Sequence, residues 1–185
     1  MARKELKVGP MMFPQPVLII ATYDKDGVPD AMNAAWGGII EANKVLLSLS
    51  EHKTTENIAL NKAFTISMAD AAHVVECDYV GVVSANKVPD KFARAGFTAT
   101  KSSKVNAPII NELPFALECK FEKIDEDGYY IGEIVGISAD ESILDADGKV
   151  DLSKFFPIAY DSSKFGYYKL GEKVGQAFKD GFQIK

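Results

Sequence analysis

Apolar residues in this chain come in short runs separated by turn-forming clusters, with few long amphipathic stretches. Val17 to Tyr23 is rich in β-formers and ends at Asp24-Lys25-Asp26-Gly27, a turn sequence with a glycine available for positive φ. Extended character resumes from Asp30 to Ile40, and Lys44 to Leu49 reads as a third strand, so the first three elements are predicted to form a meander. Ile58, Ala59 and Leu60 fit a short helix from Thr55 to Asn61. Ala63 to Ala69 alternates as a strand, and His73 to Val83 reads as a buried helix that Asp70 can cap. Pro89 to Gly96 has proline in a first turn and glycine where a helix stops. The plainest strand follows, with Phe115, Leu117, Cys119 and Phe121 on one face and Ala116, Glu118, Lys120 and Glu122 on the other. Asp125-Glu126-Asp127-Gly128 turns it into Tyr129 to Ser138, giving a long hairpin with one polar face. Beyond a second turn, Asp145-Ala146-Asp147-Gly148, short elements are expected around Phe156–Tyr160 and Phe165–Leu170.

Six or more strands with only short helices predict a mainly β protein, an antiparallel barrel decorated by helices. A Rossmann sheet is disfavoured, because there is no GxGxxG and no regular βαβ alternation. At 185 residues and 47% apolar composition, with no biased linker and no internal repeat, residues 1–185 read as a single domain. A formal charge of −5 argues against nucleic-acid binding, which needs a basic face. Cys77 and Cys119 form no CxxC, which excludes an iron–sulfur or Cys-rich zinc site carried by this chain alone; Cys119, in its strand, is expected as a buried free thiol. Val17 to Ala21 is too short to span a membrane and lacks the layout of a signal peptide, so a cytoplasmic location is the expectation.

The candidate chemistry lies in Ser48-Leu49-Ser50-Glu51-His52-Lys53-Thr54-Thr55, where four hydroxyls, an imidazole and an ammonium gather at an expected helix start. The unpartnered N–H groups of a helix N-terminus attract anions, so the stretch suits a phosphate-bearing cofactor. The plainer alternative is a Thr54 or Thr55 N-cap with Lys53 as solvated charge. Upstream, Asn33-Ala34-Ala35-Trp36-Gly37-Gly38 is unusual for a strand, since its small residues let another group approach the backbone or mark a bulge. His52 and His73 have no carboxylate or thiol beside them at metal-ligand spacing, Asp145-Ala146-Asp147-Gly148 is only part of a calcium loop, and no GxSxG occurs.

Taken in order, these features resemble the flavin reductase-like family, whose members have an FMN-binding split barrel, and most of all its flavoredoxin branch. The likeness is carried by Pro16-Val17, Asp26-Gly27, Asn33-Ala34-Ala35-Trp36, Lys53-Thr54-Thr55-x-Asn57-Ile58, Asp90-Lys91-Phe92, Ala107-Pro108-Ile109, Leu117-Glu118-Cys119, Gly132-Glu133-Ile134-Val135 and Tyr168-x-Leu170-Gly171. It runs from about Pro10 to Gly181. The resemblance implies non-covalently bound FMN, a homodimer with the flavin near the subunit interface, and redox chemistry at the isoalloxazine ring. It places Asn33, Ala34, Ala35 and Trp36 along the ring, and Ser48, Leu49, Ser50, Lys53, Thr54 and Thr55 on the ribityl phosphate; Lys91 joins the cofactor-binding set. Small side chains leave backbone N–H groups free to stabilise the charge of a reduced ring, and Asn33 offers both donor and acceptor to its pyrimidine edge. Trp36 is equally well read as a core or interface aromatic, and His52 as an exposed loop residue.

Members that use NAD(P)H often carry a histidine just before the Gly-Glu-x-Val strand, but here the stretch is Asp127-Gly128-Tyr129-Tyr130-Ile131. The expected electron partner is therefore NAD(P)H or a protein donor or acceptor, with Tyr129 or Tyr130 as an alternative stacking surface for the dinucleotide. Within the family, a reductase releasing reduced flavin to a partner is the alternative activity. A non-catalytic flavin-binding or sensing protein is the alternative of another class. The aromatic C-terminal segment, Phe165 through Phe178 and Phe182, is expected at a dimer contact.

Overall fold

The computed structural model describes residues 2–184. Its strands are β1 (Gln15–Pro16), β2 (Leu18–Tyr23), β3 (Pro29–Ala34), β4 (Gly37–Glu41), β5 (Lys44–Leu47), β6 (Ala63–Met68), β7 (Ala99–Lys101), β8 (Pro108–Ile110), β9 (Phe115–Ile124), β10 (Tyr130–Ala139), β11 (Ile158–Asp161) and β12 (Gly166–Lys169). The α-helices are short: α1 (Lys53–Asn61), α2 (Val74–Val82) and α3 (Lys91–Arg94). Seven strands form one antiparallel sheet in the order β3-β2-β6-β9-β10-β5-β4. Its two edge strands, β3 and β4, are consecutive in the chain and joined only by Ala35 and Trp36. Three residue steps span at most roughly 10 Å, so the sheet must curl until its edges meet, which makes it a split barrel.

This curl corrects the expected meander. The Asp30–Ile40 run is two strands, not one: β3 pairs with β2, and β4 pairs with β5 at the opposite edge. Gly37, at the start of β4, faces the barrel interior, where a β-carbon would lie 2.7 Å from Leu47 Cδ2 and 2.9 Å from the Leu46 carbonyl oxygen. The glycine is therefore required by the closing of the barrel.

The pattern of β2 follows from its place in the sheet. Leu18 and Ile20 point into the barrel with Met32, Val45, Leu47, Phe64, Ile66, Leu117 and Cys119. Ile19 and Ala21 point outward into a second core with Cys77, Val80, Phe92, Phe97, Ile110 and Leu113. A strand buried on both faces reads as a continuous apolar run. Helix α1 caps one barrel end with Ile58, which is fully buried. It begins two residues before the expected Thr55. In α3 only Lys91–Arg94 is helical, stopped by Gly96 at φ +81°. Helix α2 matches its expected position, and Asp70 Oδ1 accepts hydrogen bonds from the N–H groups of Ala72 and His73 at its entrance.

The β9–β10 hairpin forms as expected, but its polar face is not uniformly solvated. Glu118 is buried beneath the Ser102–Ala107 segment and accepts a hydrogen bond from the Ser102 hydroxyl. Cys77 and Cys119 are both buried and free, and burial pushes each thiol up to about 12, so neither is a thiolate at neutral pH. Among the described residues no helix is long and apolar enough to cross a membrane.

Candidate functional site

A cleft of about 410 Å³ opens where the barrel is split, within the roughly 300–1,000 Å³ typical of ligand pockets. Four chain segments build it. The end of β3 and the strap beyond contribute Met32, Asn33, Ala34, Ala35 and Trp36, and the loop leaving β5 contributes Ser48, Leu49, Ser50 and His52. Helix α2 adds Asp78, Gly81 and Val82, and the β11–β12 hairpin adds Tyr160, Phe165 and Tyr167. Strap and loop are tied by the Ser48 N–H, which donates to the Trp36 carbonyl at 2.7 Å. Barrel closure thus brings together two segments that are twelve positions apart in sequence (48 − 36).

Asn33 is anchored from behind. Its Nδ2 donates to the Cys77 carbonyl at 3.1 Å, and Gly81 lets the helix pass close enough for this: a β-carbon there would sit 2.8 Å from Asn33 Cβ. Trp36 is 39% exposed, so it is a cleft wall and not a core residue. His52 is exposed, lines the cleft and precedes α1, and its N–H donates to Thr55 Oγ1 at 2.9 Å. The N–H groups of Thr55 and Glu56 both reach the His52 carbonyl. Those of Lys53 and Thr54, the first two helical residues, have no carbonyl one turn back to bond.

The remaining expected binding residues are arranged differently. Thr54 is 1% exposed, and its hydroxyl donates to Asp30 Oδ2 at 2.6 Å. The Thr55 hydroxyl is bound into the cap with His52. Lys53 Nζ lies 3.4 Å from Glu56 Oε2 in an exposed pair, which contributes little. Lys91 sits behind the cleft, 4% exposed, donating to the carbonyls of Val80 and Val83 at 3.0 Å and facing Asp30 Oδ1 at 3.4 Å. Burial lowers its pKa, an effect that Asp30 partly offsets. Lys91 thus fastens the C-terminal end of α2, while Asp30 and Thr54 fasten the start of α1. Tyr130 packs against Phe121 with ring centroids 5.8 Å apart, and neither it nor Tyr129 lines the cleft.

Sequence reasoning missed the far wall. Tyr160 and Tyr167 are directly paired across β11 and β12, with ring centroids 5.9 Å apart. Tyr167 Oη donates to Asp78 Oδ1 at 2.7 Å, and burial, reinforced by that carboxylate, raises the phenol above its ordinary range. Phe165, in the turn between these strands, has φ +56° and is 81% exposed at the cleft; so bulky a residue at positive φ is a backbone outlier. A signal was present in Asp78, an acid beyond the first turn of the mostly apolar helix Val74–Val82.

The family model described as "Flavin reductase like domain" matches residues 11–169. The chain belongs to the flavin reductase-like family. Among solved structures, this flavin reductase-like protein is similar to the flavoredoxin of Desulfovibrio vulgaris (Miyazaki F), with 36% identity, 97% of this chain and 100% of that chain covered, and a TM-score of 0.93. It is also similar to a flavoredoxin from Methanosarcina acetivorans, with 26% identity, 99% and 100% coverage and a TM-score of 0.88. An uncharacterized protein of Aquifex aeolicus is 25% identical over 173 residues, covering 88% of each chain. The family and these neighbours support flavin-related oxidoreductase activity, and the curled seven-stranded sheet matches their split-barrel fold.

Proposed function

We propose that this flavin reductase-like protein is a redox flavoprotein that holds FMN non-covalently in the cleft at the split of the barrel and exchanges electrons through it. The observation that carries this reading is the junction of strap and loop. There a backbone edge bearing small side chains adjoins a hydroxyl-rich helix entrance in one cleft. Asn33, Ala34 and Ala35 would line the isoalloxazine ring, with Trp36 beside it. Ser48, Ser50, His52 and the N–H groups opening α1 would hold the ribityl phosphate, with Lys53 supplying positive charge at the helix start. Leu49 would pack against the ligand between the two serines. Thr54, Thr55 and Lys91 serve the same site indirectly, because their side chains fix the helices that form it.

When bound, the flavin supplies the two-electron and one-electron chemistry, and the protein sets its orientation and surroundings. No histidine precedes Gly132 in its strand. This favours a protein electron partner over NADH or NADPH.

The homodimer belongs to the same reading. Val174, Phe178 and Phe182 are 101%, 97% and 86% exposed on the C-terminal segment. So much uncovered apolar surface suits a subunit contact.

Purified protein reconstituted with FMN is expected to be yellow and to elute as a dimer. The double variant S50A/K53A should keep the fold by circular dichroism and bind FMN about tenfold more weakly, roughly 1.4 kcal/mol. Equal retention by the variant would remove the loop from the phosphate site.

A further inference from the structure

Asp78 ties β12 to α2 through Tyr167 and also reaches the cleft. It lies at the middle of α2, where no helix end offers it a free N–H. Among the described residues it joins no ion pair, and its one side-chain hydrogen bond is the 2.7 Å contact from Tyr167 Oη. That contact fixes the carboxylate at the cleft wall, close to Asn33, because Asp78 and Gly81 belong to the helix that anchors Asn33 through the Cys77 carbonyl. Among the described residues it is the only acidic one lining the cleft.

We propose that Asp78, held in place by Tyr167, tunes the bound flavin by disfavouring its negatively charged reduced form, making this chain a stronger electron donor. The inference rests on the FMN reading above. A reduced flavin carries negative charge at the pyrimidine side of the ring, whereas the oxidised ring is neutral. A fixed carboxylate in a partly desolvated cleft therefore repels one form selectively. Asp78 is a positioning residue for charge and transfers no proton in this scheme.

The test measures dissociation constants for oxidised and reduced FMN, together with the midpoint potential, in wild type, Asp78→Asn and Asp78→Glu. Asp78→Asn is expected to raise the preference for reduced over oxidised FMN at least tenfold. By linkage this lifts the two-electron midpoint potential by about 30 mV. Asp78→Glu keeps the charge and should stay within threefold of wild type. Val82→Lys, at an exposed cleft position one turn from Asp78, places a positive charge there and should shift the preference the same way; it carries the test if Asp78→Asn does not fold. An unchanged preference in Asp78→Asn, or equal shifts in the Asn and Glu variants, overturns the proposal while leaving FMN binding intact. Failure of the wild-type chain to take up FMN overturns the underlying reading and this inference with it.

Discussion

Asp30→Ala is expected to lower stability by about 3–5 kcal/mol, because it leaves the Lys91 ammonium buried without its counter-charge. For a chain of this size that corresponds to a fall in Tm of roughly 6–20 °C. Lys91 and Asp30 side chains are each only 5% exposed, so solvent screening does little to soften the loss. The same substitution strands the buried Thr54 hydroxyl, whose partner is Asp30 Oδ2. The double variant D30A/K91M should recover much of the stability, since replacing a whole buried pair costs far less than breaking it.

Thermal or denaturant unfolding of the single and double variants checks this, and equal losses in both would contradict it. The pH dependence has a definite sign. Burial already lowers the pKa of Lys91 below 10.5 in the folded chain, and loss of Asp30 lowers it further. The unfolded chain then binds more protons across the interval up to 10.5, so this group's contribution to stability rises with pH. The deficit of D30A should therefore narrow as the pH is raised from neutral towards 10.

Gly81→Ala is expected to weaken FMN binding about tenfold without unfolding the protein. Glycine is exposed in α2, and alanine in a helix interior is favoured by about 1 kcal/mol, so local propensity acts to preserve the fold. The added methyl, however, falls 2.8 Å from Asn33 Cβ, an atom too close to the backbone to swing aside. Either α2 or β3 must move, and Asn33 moves with it, away from the ring edge it is proposed to meet. Isothermal titration with FMN alongside a thermal melt separates the two effects. Unchanged affinity would mean that Asn33 does not position the flavin.

How legible this molecule was depended on whether local pattern or chain closure decided each feature. The alternation through Leu117, Cys119 and Phe121 and the turn at Asp125–Gly128 are local, and both produced the hairpin expected of them. The division of Asp30–Ile40 between opposite sheet edges was hidden, because extended backbone looks alike in either place; only the seven-strand closure separates Ala34 from Gly37. Glu118 was misread for a similar reason: period-two alternation marks a second face without saying what covers it.

The site divided in the same way. Asn33–Trp36 and the Ser48–Thr55 stretch were conspicuous for small side chains and clustered hydroxyls, and Asn33–Trp36, Ser48, Leu49, Ser50 and His52 line the cleft. Thr54, in the hydroxyl-rich stretch, and Lys91, in Asp90-Lys91-Phe92, were expected at the cofactor too, yet their side chains turn inward to Asp30 and to helix carbonyls. Sequence spacing does not encode that direction. Asp78 and Tyr167, 89 positions apart, meet only because β12 folds back over α2.

The most direct measurement is a fluorescence titration of the apoprotein with FMN and, in parallel, with riboflavin, which lacks the phosphate. A cleft that grips the ring at the strap and the phosphate at the helix entrance should bind FMN stoichiometrically, one per chain, and riboflavin at least about tenfold more weakly, roughly 1.4 kcal/mol. Equal affinity for the two ligands, or no response to either from correctly folded protein, would contradict it.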